Sequence, residues 1–270
     1  MPACDVWPGD RLGLRRAFDI GDKEIVSLVG GGGKTTLMFA LAQEVASRGG
    51  TVVTTTTTKI FKPAAASTSL IVDSDEENLV SKIMESLPTQ RHVTVASGEL
   101  PNGKLTGIRP ELVDALIALG PVSCVVVEAD GAAGRSIKAP NATEPVIPGS
   151  TSLVVPVVGI DALGCRLGPD AVFRPELVMG ITGLGPGEVV GADAIADLVT
   201  HPDGIAKGSP GSSRIVPLIN KMDLVSSTSE AELLARMILD RGRGRIERVL
   251  LGQLRSPNPI VSVVSCRPAT

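Results

Sequence analysis

The residues with the most chemistry to offer form one run, Gly30-Gly31-Gly32-Gly33-Lys34-Thr35-Thr36. Binding a nucleoside triphosphate takes convergent backbone N–H groups and room for the chain to approach the phosphates. Glycine supplies both, because it has no side chain and accepts positive φ. In such a loop Lys34 reaches the β and γ phosphates, the Thr35 hydroxyl ligates Mg2+ and Thr36 stands at the α phosphate. The N-terminus of the following helix adds partial positive charge. The spacing is G-x-x-G-K-T beginning at Gly30; Leu28 occupies the position where the longer G-x-x-x-x-G-K-[ST] pattern has its first glycine. Short loops of this kind occur in peptide-forming ligases of cell-wall synthesis, so the motif points to a triphosphate without naming base or reaction.

A magnesium site also needs an acid, and a hydrolytic or transfer site often needs another to orient the nucleophile. Glu128 and Asp130 follow an apolar run, Cys124 to Val127, at the edge where a doubly wound sheet holds its ligands. The expectation is Glu128 toward the metal through water and Asp130 in a mobile loop, or the reverse. Lys34, Glu128 and Asp130 are then the catalytic candidates, and Thr35 and Glu128 the metal candidates. The loop from Gly131 to Lys138 reads as flexible and basic, and Arg135 or Lys138 could neutralise γ-phosphate charge or grip a second substrate. Thr54 to Thr58 ends a second strand, where the Thr57 hydroxyl could complete the magnesium shell as a switch threonine does and Lys59 could face phosphate. The alternative is that threonine is simply a good strand residue.

Asn220-Lys221-Met222-Asp223 matches N-K-x-D, whose aspartate accepts two hydrogen bonds from guanine N1–H and its exocyclic amino group. Adenine lacks that donor pair, so Asn220, Lys221 and Asp223 favour GTP over ATP. A further loop usually closes over the base; Ser265-Cys266-Arg267 and Gly252-Gln253 are the two segments that could.

These groups need a scaffold. Hydrophobic residues make up 43% of the 270, while aromatics are only 2%, so a core must be built from Val, Ile, Leu and Ala, as in a parallel sheet covered by helices. The periodicity predicts a helix over 11–19, a strand over 24–29, a helix over 34–48 with Leu37, Leu41 and Val45 on one face, and a strand over 51–55. Strands at 70–72, 92–96, 123–127, 153–158, 215–219, 249–251 and 260–264 alternate with helices near 76–87, 109–119 and 230–239. The fold class expected is α/β, a doubly wound and mainly parallel sheet in a Rossmann-like three-layer α/β/α arrangement. One domain over 1–270 is expected, with a less regular α/β segment at about 67–120.

The net charge of −3 gives no polyanion-binding surface, so nucleic acid is not an expected partner. No run approaches the ~18 apolar residues of a membrane span. The four cysteines are widely separated, without a Cys-x-x-Cys pair, as in a reduced cytoplasmic protein.

In addition, the ordered series Val29 to Thr36, Thr55 to Lys59, Val126 to Lys138, Glu144 to Pro148, Gly159 to Gly164, Arg174-Pro175-Glu176 and Asn220 to Asp223 resembles the YqeC family. That family is described as accessory proteins of selenium-dependent molybdenum hydroxylases. The resemblance runs from about Ile25 to Leu251. It implies a phosphate-loop nucleoside triphosphatase fold and a role in maturing a selenium- or molybdenum-containing cofactor, with a molybdenum hydroxylase or its cofactor as partner. Segments without nucleotide chemistry, including Glu144 to Pro148, Asp161 and Arg174, are candidates for partner or substrate contact. The resulting expectation is a Mg2+-dependent GTPase or ATPase acting as an accessory protein. Its rival is an ATP-dependent ligase or transferase that activates a small acid or cofactor. Proteins of this class often dimerise around their nucleotides, so a homodimer fits either reading.

Overall fold

The computed structural model describes residues 4–9, 12–63 and 68–266. An edge strand, β1 (Cys4–Pro8), and a short helix, α1 (Leu14–Ala17), lead into β2 (Glu24–Gly30), α2 (Lys34–Ser47) and β3 (Val52–Thr56). Next come β4 (Lys59–Phe61), β5 (Ser69–Val72), α3 (Glu76–Ser86), β6 (His92–Ala96), β7 (Gly98–Glu99), β8 (Lys104–Thr106), α4 (Pro110–Ala118) and β9 (Cys124–Glu128). The chain continues through β10 (Ile137–Lys138), β11 (Leu153–Gly159), β12 (Val172–Phe173), α5 (Pro175–Thr182) and α6 (Ala192–Thr200). It ends with β13 (Arg214–Ile215), β14 (Leu218–Asn220), α7 (Ser229–Arg241), β15 (Arg248–Gly252) and β16 (Ile260–Cys266).

The central sheet runs in the order β1-β16-β15-β14-β11-β2-β9-β3-β6-β5, with β13 also on β11. Every pairing from β15 to β5 is parallel, and only the β16 and β1 edge is antiparallel. Successive side chains of β2 explain the layering. Val26 and Leu28 pack with α1 and α2, whereas Ile25 and Val29 join the clusters of the opposite face, which α3 to α7 cover. The mainly parallel, doubly wound three-layer α/β/α arrangement expected from the alternating pattern is therefore what forms. Its core is aliphatic, with Phe18 as the buried aromatic among the described residues.

Local chemistry sets the helix ends. The Asp75 carboxylate accepts from the Asn78 N–H to cap α3, and Pro110 opens α4 in a first turn that needs no N–H. The strand expected over 215–219 is instead split into β13 and β14. Pro217 lies between them and has no N–H for the ladder, although its carbonyl still accepts from Leu250. Lys59 does not extend β3: the chain bends at Thr57-Thr58, and β4, β8 and β7 form a small antiparallel sheet of their own. Helices α5 and α6 and strand β1 are additions to the expected elements. Among the described residues no helix is long and apolar enough to cross a membrane.

Candidate functional site

The glycine run joins β2, in the middle of the parallel sheet, to α2. Gly30, Gly32 and Gly33 have φ of 92°, 75° and 133°, values that L side chains rarely adopt. Space is equally restrictive. A Cβ would lie 2.4 Å from Val157 O at Gly30, 2.4 Å from Arg135 O at Gly31, 2.3 Å from Gly159 N at Gly32 and 2.4 Å from Asn220 Nδ2 at Gly33.

Three of the loop's N–H groups already serve the protein. Gly30 N–H donates to Asp130 Oδ2, Gly31 N–H to Val157 O and Gly32 N–H to Arg135 O. The groups left for an anion are those that open α2, from Gly33 onward, because a helix start has no intrahelical acceptor for them.

Lys34 turns back beneath this loop. Its Nζ donates to Gly30 O at 2.5 Å and lies 3.2 Å from Asp130 Oδ1 and 3.7 Å from Glu128 Oε1. Burial alone lowers a lysine pKa, but Asp130 and Glu128 outweigh it here and hold Lys34 above its ordinary value. Glu128, at the end of the neighbouring strand β9, has its pKa raised by burial, against the pull of Lys34. Its Oε2 accepts from the Thr35 hydroxyl at 2.7 Å. A hydroxyl and a carboxylate this close at a helix start form a hard-oxygen pair of the kind that could hold a divalent cation such as Mg2+.

Asp130 is fully buried and fixed, contrary to its expected place in a mobile loop. It takes the Gly30 N–H and sits between Lys34 and Lys138, whose Nζ is 3.0 Å from Oδ2. Lys138 also requires a correction. It is entirely buried in β10 and its Nζ reaches Glu144 Oε2 at 3.1 Å and Gly131 O at 2.6 Å, so it is withdrawn from any incoming phosphate. Glu144 in turn meets Arg174 Nη1 at 2.7 Å. Burial works against the Glu144 carboxylate, but Lys138 and Arg174 prevail and hold its pKa below the usual glutamate range. Arg174 thus has an anion within the chain itself, and Lys34, Asp130, Lys138, Glu144 and Arg174 form one chain of alternating charge.

The threonines are likewise engaged. Thr54 bonds His92 and Thr94, Thr55 donates to Val95 O and Thr56 to Glu128 O. The Thr57 hydroxyl donates to Val146 O at 2.6 Å, so in this arrangement it braces the loop after Glu144 and does not reach the loop beside Thr35.

On the other flank of β2, Asn220 ends β14. Its Nδ2 donates to Gly32 O at 2.8 Å and its Oδ1 accepts from Leu254 N–H at 3.2 Å, so the side chain ties the glycine loop to the segment after β15. Lys221 Nζ donates to Ser136 Oγ at 2.6 Å and lies 2.8 Å from Asp161 Oδ2, which gives Asp161 an internal partner. Asp223 is exposed and faces the cleft together with Leu224, Leu254 and Arg255. Leu254 and Arg255 follow Gly252-Gln253 directly, which makes that segment the neighbour of the motif. Ser265 lies in β16, between β1 and β15, and Arg267 falls outside the described residues.

One cleft of about 470 Å3 collects these groups, within the size range of small-molecule sites. Gly31 to Thr36 and Glu128 form its floor, Asn220, Lys221 and Asp223 one end and Lys59, Ile60, Phe61 and Lys104 the other, while Arg135 lies over the glycine loop beside Ser136, the partner of Lys221. Ile60, Phe61 and Lys104 are absent from the sequence reading. Phe61 carried a signal, being one of only four phenylalanines, but Lys104 lies 45 positions after Lys59 and only the β4–β8 pairing brings it near.

Fold and site define a doubly wound α/β/α protein with a glycine-rich strand-to-helix turn at the centre of its sheet. The family model described as YqeC protein matches residues 26–176, more than half of the chain, and the chain belongs to the YqeC family. It is also 35% identical over 133 residues to a protein of Escherichia coli (strain K12) described as "Uncharacterized protein YqeC". That alignment covers 49% of this chain and 52% of the relative, so the chain spans about half the length of the curated relative it matches. The family match includes the glycine loop, Glu128, Asp130, Lys138 and Arg174. It ends before Asn220 to Asp223.

Proposed function

We propose that this protein is a Mg2+-dependent nucleoside triphosphatase that prefers GTP and acts as an accessory factor in maturing a selenium- or molybdenum-containing hydroxylase. The observation that carries the nucleotide part is the meeting of Lys34, Thr35 and Glu128 at the start of α2, on the ligand edge of a parallel sheet. Triphosphate draws Lys34 away from Asp130 and Glu128 toward its β and γ oxygens. The Thr35 hydroxyl and Glu128, directly or through water, would hold Mg2+, and the ion would supply charge neutralisation at the terminal phosphates. Asp223, the exposed carboxylate of the N-K-x-D motif, takes the guanine donors, while Asn220 and Lys221 hold the motif against the loop. The accessory role rests on the family resemblance alone.

The test is phosphate release by purified protein with GTP or ATP and Mg2+, paired with calorimetric binding. Lys34→Ala is expected to abolish turnover and weaken triphosphate binding at least ~100-fold, the scale of losing a buried charge-assisted contact. Asp223→Asn is expected to erase the preference for GTP. Unchanged turnover in Lys34→Ala defeats the phosphate-loop reading; an unchanged base preference in Asp223→Asn defeats only the guanine reading.

A further inference from the structure

We infer that the end of the cleft opposite Asp223 is the subsite of a second ligand, a small planar ring bearing an anionic group such as phosphate. This rests on the phosphate-loop reading, because it treats the floor between the two ends as the triphosphate site.

Strand order makes the first argument. Asn220 ends β14, two strands from β2 on one side, while β3, from which the chain bends into β4, lies two strands away on the other. A nucleotide laid from Asp223 to Lys34 ends near Glu128. The cleft, however, continues past Glu128 to Lys59, Phe61 and Lys104, beyond the stretch that this path gives the nucleotide.

The charges there are unbalanced. Among the described residues Lys59 and Lys104 belong to no ion pair, although Lys104 Nζ stands over the Phe61 ring. Neighbouring Lys62 is paired with Glu99 at 2.9 Å, and Lys82 and Arg109 likewise face carboxylates. Two cations without a carboxylate at one end of a concave site give it a local excess of positive charge, in a chain of net charge −3.

Phe61 adds a ring. At 67% exposed it is the most open of the large apolar side chains among the described residues, and Lys104 Nζ stands over the ring, 4.8 Å from its centroid. A flat face beside an ammonium matches a ligand that has both a π surface and a negative group.

The platform is also held in place. Ile108 N–H donates to Thr56 O at 2.9 Å and Gly107 N–H to Thr58 O at 2.8 Å, fastening the β4–β8–β7 sheet to the end of β3. Gly131-Ala132-Ala133-Gly134 also line the cleft.

The experiment is an NMR titration of 15N-labelled protein, saturated with Mg2+ and a non-hydrolysable GTP analogue, with phenyl phosphate, inorganic phosphate or phenol. Phenyl phosphate is expected to shift the amides of residues 59–61 and 104–106. It should bind at least tenfold more tightly than either fragment. The double variant Lys59→Met/Lys104→Met should lose at least tenfold, and Phe61→Ser should bring phenyl phosphate down to the level of inorganic phosphate. Equal affinities for the three compounds, shifts confined to residues 31–36, or binding unchanged in the double variant would overturn the inference. If the GTP analogue itself fails to bind, the phosphate-loop reading falls. The same titration of nucleotide-free protein then still decides the second-ligand site by the same shifts and the same variants.

Discussion

The floor of the cleft and its two ends treat charge in opposite ways. On the floor, Lys34, Glu128 and Asp130 are buried, and each faces an opposite charge supplied by the chain. At the ends, Asp223 and Lys59 are exposed to solvent. A buried charge must be partnered because desolvation is costly, so the floor is held together by its own charges. An exposed charge carries no such requirement and can select among ligands with little effect on the fold. The same cleft therefore combines a stability-critical centre with ends open to specificity.

The largest effect expected from this contrast is at Asp130. Asp130→Ala removes the carboxylate shared by two buried ammonium groups, Lys34 and Lys138, and should cost about 3–5 kcal/mol of unfolding free energy in urea denaturation. A loss under about 1 kcal/mol would mean that Glu128 and Glu144 suffice for both lysines, and the floor would then be less demanding than the contrast requires.

A smaller, pH-dependent effect is expected at Glu144. Its folded pKa lies below the ordinary 4.5, so the folded state binds fewer protons than the unfolded chain in that range. The stabilisation is complete above the ordinary value and is lost as pH falls through the folded one. The advantage of the wild type over Glu144→Gln in thermal denaturation should thus be full at pH 7 and shrink on acidification below about 4.5. A difference that stays constant down to pH 3 would sever Glu144 from the charge chain.

The smallest effect belongs to the rim. Lys59→Met should change stability by no more than about 0.5 kcal/mol, as for a surface position without a structural partner, and Lys104→Met by no more than about 1 kcal/mol, the scale of its cation–π contact with Phe61. A larger loss would show that the β4–β8–β7 sheet depends on these cations, and the contrast between floor and ends would blur.

Most of the scaffold was legible in the chain. The alternation of β-branched runs with helical periodicity located β2, α2, β3, β6, β9, β11 and α7 to within a residue or two, because a parallel sheet buried on both faces tolerates little else. Pro217 could have warned that 215–219 is two strands. The small sheet was not legible, since β7 and β8 are only two and three residues long and rest on contacts with β4 and the end of β3. At the site, glycine spacing and the acids after β9 led to the loop, Glu128 and Asp130. Their partners could not be read, because a lysine six residues from an acid carries no sign of whether it is solvated or, like Lys138, locked between two carboxylates.

The sequence alone determined that a glycine-rich turn joins a buried strand to a helix beginning Lys34-Thr35, since backbone freedom, hydrophobic period and helix-start chemistry are all local properties. Only the tertiary structure decided which charges remain available. Burial and pairing depend on strands far apart in the chain, and they placed Asp130 and Lys138 in the interior while leaving Lys59, Phe61, Lys104 and Asp223 at the mouth of the cleft.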